Sequence, residues 1–291
     1  MKKGKVGVIT GGGSGHEPAF VGYLGDGMLD SVAIGEVFAS PPALAFYDAI
    51  VDADQGEGVA VLFGNYAGDN MNVKMAVQMA EDDDIEVKYV VANDDVASAP
   101  KAVKEQRHGI AGGFFMWKVG GARAAKGGSL DDVIASAQNG VNRTKSICVG
   151  LEPCVIPALG HSNFKIEDGT MEFGVGHHGE AGTKVEKLKS ASEMAQEMAE
   201  TILNDFDFEE GKEVAVMLSG LGATPVMELY VLYDEVEKVL AKAGHKVWKT
   251  YIGNYVTSLD MNGASLTIVD LDDEIKELLS EPAVPIGMKN Y

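Results

Sequence analysis

The sequence predicts an α/β protein of two domains, each a mixed sheet with flanking helices. Short runs rich in Val, Ile and aromatics recur, each followed by glycine and then by a helical pattern, as strands with crossover helices do. The series breaks near Arg143 and restarts at Lys145, which divides the chain into an N-terminal domain of residues 1–143 and a C-terminal domain of residues 144–291. A length of 291 residues suits two domains of roughly 150 residues each.

In the first half, the continuous apolar run Lys5–Thr10 predicts a buried strand and Gly11–Glu17 the loop leaving it. Pro18 opens a short helix, at a position where its missing N–H is not needed. Ser31–Ile34 is a second, shorter strand, and Pro41 and Pro42 start a helix through Ala53. The strand Gly58–Phe63 leads into the loop Gly64–Asp69 and a helix to Glu81, where Met71, Met75 and Met79 fall at i, i+4 and i+8 as a core-facing stripe. The strand Ile85–Ala92 ends at Asn93, Asp94 and Asp95, which either border a site or make a turn. Helices follow at Gly113–Ala125 and Ser129–Asn142, the latter capped by Ser129 with Asp131 and Asp132 in its first turn.

The second half begins with the strand Ser146–Gly150, passes an irregular Gly, Pro and His region, and resumes at Met171–Gly176. The helix Ser190–Asn204, the strand Glu213–Ser219, the helix Pro225–Ala243 and the strands His245–Tyr255 and Ser265–Val269 complete it. Asp270–Glu274 is the cap of a last helix.

Charge excludes several partners. With 24 Lys and Arg against 44 Asp and Glu, the net charge is −20, and the only arginines are Arg107, Arg123 and Arg143. A phosphate backbone or an anionic membrane needs clustered cations, so neither nucleic acid nor membrane is an expected partner. The longest uncharged stretch, Val214–Met227, is 14 residues and contains Gly and Pro, short of the roughly 18 that a membrane-spanning helix requires. Met1, Lys2 and Lys3 run directly into the first strand with no secretory signal, so a cytoplasmic location is expected. Cys148 and Cys154, with five residues between them, fit neither a CxxC redox pair nor a zinc knuckle and read as reduced, packed thiols. The 36 glycines, about 12% against a typical ~7%, cluster in loops.

Three of those loops carry chemistry. Gly11–Pro18, GGGSGHEP, lies between a strand and a helix, where backbone amides can face an oxygen-bearing ligand. A tight turn alone would need one or two glycines, and it would not need His16 and Glu17. His16 stands where a dinucleotide fingerprint has glycine, and GK followed by Ser or Thr occurs nowhere, so a nucleotide is not expected on this chain. In Gly64–Asp69, GNYAGD, Asp69 is either an N-cap or a general base toward a substrate hydroxyl. In Gly174–Gly182, GVGHHGEAG, His177 and His178 suggest metal binding first. Neighbouring residues of an extended segment point to opposite sides and no third ligand stands at a fitting spacing, so a neutral imidazole acting as nucleophile or acid and base is the other reading.

Taken in order, these segments resemble the substrate-binding subunit of dihydroxyacetone kinases. The series is GGGSGHEP at Gly11, GEVFASP at Gly35–Pro41, NYAGD at Asn65, DDVA at Asp94, GGSLDD at Gly127 and MEFGVGHHGEAG at Met171. LGATPVMELY at Leu221 and TSLDMNGASLT at Thr257 continue it, so the match spans nearly the whole chain.

The resemblance implies a homodimer that holds a short-chain ketose through a hemiaminal between a histidine and the carbonyl carbon, and that histidine is His178. Asp69 takes the proton of the terminal hydroxyl, His16 hydrogen-bonds the substrate and assists, and Gly12, Gly13 and Ser40 line the pocket. The implied activity is that of a phosphotransferase, a glycerone kinase of glycerol metabolism, with no metal and no cofactor on this chain. ATP or ADP with magnesium belongs to a helical nucleotide-binding partner subunit, recharged in many bacteria by the phosphotransferase system. Three departures stand out: the chain begins almost at the first strand, where the family usually has a further segment, Gly64 replaces a lysine that contacts the ketone, and Arg107–His108 replaces an arginine pair, which would bear on partner docking. Loss of the lysine frees volume for a larger ketose such as a tetrulose. The alternatives are a non-catalytic ketose sensor that binds a transcription regulator and a metal hydrolase built on His177, His178 and acids.

Overall fold

The computed structural model describes residues 4–162, 164–207 and 211–287; Met1, Lys2 and Lys3 lie outside the described residues. In chain order the elements of the first part are β1 Gly7–Ser14, β2 Gly25–Asp26, β3 Ser31–Val37, α1 Ala43–Ala53, β4 Val59–Gly64, α2 Ala67–Asp82, β5 Val87–Ala92, α3 Gly113–Ala125 and α4 Leu130–Asn142. The second part continues with β6 Thr144–Glu152, β7 Thr170–Phe173, β8 Lys184–Lys187, α5 Ala191–Asp205, β9 Glu213–Gly220, α6 Val226–Lys242, β10 Lys246–Gly253 and β11 Asn262–Asp270. Helix α7 Asp273–Ser280 and strand β12 Val284–Pro285 end the series.

These elements form two compact units whose limits differ from a single cut at Arg143. Unit one is Met1–Asn93, Gly113–Asn142 and Asp272–Tyr291; unit two is Asp94–Gly112 and Arg143–Leu271. The departures have local causes. Residues after Asn93 pair with β6: the Ser146 N–H donates to the Asp94 carbonyl at 2.8 Å and the Val96 N–H to the Ser146 carbonyl at 3.0 Å. At the other end, the buried Lys118 ammonium of α3 donates to the carbonyls of Leu278 and Glu281 at 2.9 and 2.8 Å, which ties α7 to unit one, and β12 pairs with β2.

Unit one holds a four-stranded sheet in the order β3-β1-β4-β5. Every pairing in it is parallel, its antiparallel pair being the separate β2 and β12, while the mixed sheet that the sequence predicts is found in unit two. Strand β1 runs four residues beyond its predicted end, with Gly11, Gly12 and Gly13 in register with Ala33, Ile34 and Gly35. Side chains there would collide with the Phe46 ring at Gly11 and the Phe20 ring at Gly12, so glycine is required by packing although it is a poor strand former. Pro18 opens no α-helix. The Gly22 N–H donates to its carbonyl at 2.8 Å, closing a turn that leads into a 3-10 turn at Val21–Tyr23.

Helix α2 turns Met71 and Met75 outward, contrary to the predicted stripe, and leaves Met79 half-buried. Met71 and Met75 are 60% and 55% exposed, and the buried face is Val73, Ala76 and Ala80, whose small side chains let α2 pack closely on α1. The core of this unit gathers Ile9, Phe46, Ile50, Val61 and Phe63 around that face.

Unit two is a six-stranded mixed sheet in the order β10-β9-β11-β6-β7-β8. Strand β11 lies antiparallel to both β9 and β6, and β10 lies parallel to β9. Ile147, Val149, Val216, Leu218, Leu266 and Ile268 supply much of its core. Helix α5 begins with a reciprocal Ser190 and Glu193 capping box, as its sequence allows. The predicted cap Asp270–Glu274 divides its work: Asp270 pairs with Arg143 at 2.6 Å, and Asp272 is the cap, accepting from the Ile275 N–H at 2.8 Å.

Arg107 is internal to unit two and does not offer a docking charge. It is 1% exposed, donates through both terminal nitrogens to Asp205 at 2.7 Å and through Nε to the Ala99 carbonyl at 2.7 Å. Both cysteines are buried free thiols, and burial, reinforced by Asp95, Asp94 and Glu180, pushes Cys148 well above the ordinary thiol range.

Candidate functional site

In unit one the chain leaves β1 toward β3 on one side and later places β4 on the other, so β1 is the switch point of a parallel sheet. Ligands of open α/β sheets bind beyond the carboxyl ends of strands at such a point. Gly12 and Gly13 form that end of β1 and are buried. The Ser14 hydroxyl donates to the Gly35 carbonyl at 2.7 Å and the Phe38 N–H to the Ser14 carbonyl at 3.0 Å, fixing the turn after β3 against β1. His16 is 4% exposed, stacked on Phe38 at 5.2 Å between centroids and edge-on to Phe20 at 6.1 Å. Glu17 folds back, and its carboxylate accepts from the Gly15 N–H at 3.2 and 3.1 Å.

Asp69 stands in the first turn of α2, where the helix dipole favours a carboxylate, and is 7% exposed. The N-cap of α2 is Tyr66, so capping is not the role of Asp69. Ser40 lies over this turn: a side chain on Gly68 would meet the Ser40 hydroxyl at 2.5 Å, and the Asn72 amide donates to the Pro41 carbonyl at 2.7 Å. Unit one therefore brings Gly12, Gly13, His16, Ser40 and Asp69 to the carboxyl end of one sheet. The sixth predicted residue, His178, belongs to unit two.

The His178 loop leaves β7 at Phe173, three residues before the predicted strand end, because Gly174 adopts a φ of +78° and donates to the Cys148 carbonyl at 2.7 Å. The Gly176 N–H donates to the Glu180 carbonyl at 2.9 Å and the Gly179 N–H to the Gly176 carbonyl at 3.1 Å, closing the loop on itself. The adjacent imidazoles have different surroundings. His177 is 3% exposed, and its carbonyl takes the hydroxyl of the buried Ser258. The His178 side chain is 24% exposed, with its Nδ1 2.8 Å from Glu180 Oε1. Its backbone N–H donates to Glu180 Oε2 at 2.8 Å. Burial alone would raise the Glu180 carboxyl, but the hydrogen bond and charge of His178 outweigh it and bring the group down to about 2.

Asp95 opens the turn that the sequence allows, accepting from the Ala97 N–H at 3.0 Å through its carboxylate and from the Ser98 hydroxyl at 3.0 Å through its carbonyl, and both Asp94 and Asp95 are buried, 2% exposed each. Asp94 accepts from the N–H groups of Ile110 and Gly112 at 3.1 and 2.9 Å, and burial raises its carboxyl above the usual range. Burial, joined by the charges of Asp94 and Glu180 and opposed by the Ala97 N–H, pushes Asp95 up to about 7. Glu180 is the residue that sequence reading passed over. Its signal was an acid two positions after His178 inside a glycine loop, a distance from which a carboxylate can reach back to the ring.

Among the described residues no group of three or more His, Cys, Asp or Glu could hold a metal ion, and no helix is long and apolar enough to cross a membrane. The Dak1 domain family matches residues 1–286. The chain is 42% identical over 273 residues to the PTS-dependent dihydroxyacetone kinase 1, dihydroxyacetone-binding subunit DhaK, of Listeria innocua, which covers 94% of this chain and 83% of that one. It is 38% identical over 282 residues to a D-erythrulose kinase of Mycolicibacterium smegmatis, which covers 97% of this chain and 49% of that one. Among solved structures, the dihydroxyacetone kinase operon co-activator Dha-DhaQ superposes with a TM-score of 0.93 at 31% identity, over 98% of this chain and 89% of that one.

Proposed function

The chain belongs to the Dak1 domain family, and on that footing we propose that it is the ketose-binding subunit of a dihydroxyacetone-type kinase. The observation that carries this reading is His178, the half-exposed member of a histidine pair, held by Glu180 in a loop of glycines. A histidine so held is a nucleophile toward a ketone carbonyl, and the resulting hemiaminal fixes the substrate for phosphorylation. Asp69 is the base for the terminal hydroxyl, His16 hydrogen-bonds the substrate, and Gly12, Gly13 and Ser40 line its pocket. Phosphoryl transfer depends on positioning and charge neutralisation, and the nucleotide with its magnesium is supplied by a helical partner subunit. The working form is a homodimer in the cytoplasm.

The ketose is dihydroxyacetone or a four-carbon ketose. Gly64 at the end of β4 leaves no side chain beside the glycine loops, and the erythrulose kinase relative is in keeping with the larger substrate. A second reading, a ketose sensor that binds a regulator, is favoured by the likeness to the co-activator structure. Both are tested by mixing the protein with the helical subunit of a related kinase, a phosphoryl donor and either dihydroxyacetone or erythrulose, and following phosphate ester formation. Turnover supports the kinase; a ketose adduct without turnover, together with a stable complex with a regulator, supports the sensor; neither adduct nor turnover with any short ketose would sink both.

A further inference from the structure

We propose that Glu180 is the positioning residue that makes His178 nucleophilic at Nε2, by holding the proton of the ring on Nδ1 and the loop backbone in place with one carboxylate. The proposal rests on the reading of His178 as the ketose-bonding residue and assigns the group that prepares it.

The geometry is specific. One oxygen of Glu180 takes the His178 backbone N–H at 2.8 Å, and the other lies 2.8 Å from Nδ1 of the same residue. A side chain at Gly176 would collide with that carboxylate, so the glycine preceding the two histidines makes room for it. The loop is fixed on both flanks. Ser258 holds the His177 carbonyl, and the Gly182 N–H donates to the buried Glu172 carboxylate at 2.6 Å. An ionised carboxylate only accepts, so Nδ1 must carry the hydrogen, and in the neutral ring the lone pair is then on Nε2.

The chemistry follows with its protons balanced. The Nε2 lone pair forms the bond to the carbonyl carbon while the C=O π pair moves to oxygen, which takes a proton from water and becomes the hydroxyl of the hemiaminal. The ring, now substituted at Nε2 and still protonated at Nδ1, is cationic until that proton returns to solvent. Beside it Glu180 supplies the opposite charge. The carboxylate thus acts twice, first on the tautomer and then on the charge of the adduct.

The test compares wild type, Glu180→Gln and Glu180→Asp. In Glu180→Gln the amide oxygen stays on the His178 N–H and the amide NH2 faces Nδ1, which forces the hydrogen onto Nε2. Imidazole ¹⁵N chemical shifts of the ligand-free proteins should report Nδ1–H in wild type and in Glu180→Asp, and Nε2–H in Glu180→Gln. Adduct yield with dihydroxyacetone, read by native mass spectrometry, should fall about 100-fold or more in Glu180→Gln and recover in part in Glu180→Asp. An Nε2–H ring in wild type, or a Glu180→Gln protein with full adduct yield, would overturn the proposal. Should wild type form no adduct at all, the reading of His178 fails, while the shifts still decide what Glu180 does to the ring.

Discussion

His178→Ala yields a folded protein that gains no mass on incubation with dihydroxyacetone, whereas wild type gains one ketose per chain. The His178 side chain is 24% exposed and its ring bonds to Glu180 rather than to a core, so truncation opens no large cavity. What it removes is the nucleophile, and turnover with the helical subunit should fall by about 10³-fold or more. His177→Ala is the control. Its ring is buried and its carbonyl is held by Ser258, so that variant should lose stability and keep the adduct. Native mass spectra and a thermal melt of both proteins separate the two effects; an adduct on the His178→Ala protein would end the covalent mechanism.

Asp69→Asn should do the reverse, binding the ketose normally and failing to phosphorylate it. The substitution keeps the shape of a side chain in the first turn of α2 that is only 7% exposed, and removes the one property a general base needs. A base of this kind contributes about 10²–10⁴-fold, which sets the expected loss in kcat. The adduct yield, by contrast, should stay near that of wild type, because the hemiaminal forms at a different atom of the substrate. Stopped assays of phosphate ester alongside native mass spectra check the split, and wild-type kcat in Asp69→Asn would exclude the assigned role.

Much of this was legible from local pattern, and the exceptions have physical causes. The strand-to-helix rhythm located α3 at its observed limits, and Pro42 and Pro225 stand where α1 and α6 begin. The glycines at the end of β1 read as loop, since glycine is a poor strand former and only the Phe46 ring at Gly11, the Phe20 ring at Gly12 and the Ala39 backbone at Gly13 explain why nothing larger fits. Residues 94–112 and α7 carry no signal of the unit they join, because that choice is made by hydrogen bonds to Ser146 and by the buried Lys118, partners far away in sequence. The methionine stripe misled because spacing gives a face without saying which one is inside, and the alanines of α2 won that position. At the site, the residue types and their loops were visible, but the link from Glu180 to His178 is a matter of side-chain direction and emerged only in three dimensions.

The buried pair Asp94 and Asp95 makes folding a proton-consuming event near neutrality. Asp95 titrates at about 7 in the folded chain and near its ordinary value of 3.8 when unfolded. The unfolded chain therefore sheds this proton first, and stability falls as the solution is made more basic from about pH 4 to 7, by roughly 4 kcal/mol for this one group; Asp94 acts in the same direction. Glu180, held at about 2, works oppositely, and what it contributes is lost only as pH drops below its ordinary 4.5. Urea melts across that range should find Asp95→Asn with a flatter slope than wild type between pH 4 and 7. Mild acidification then strengthens the contribution of this buried pair instead of weakening it.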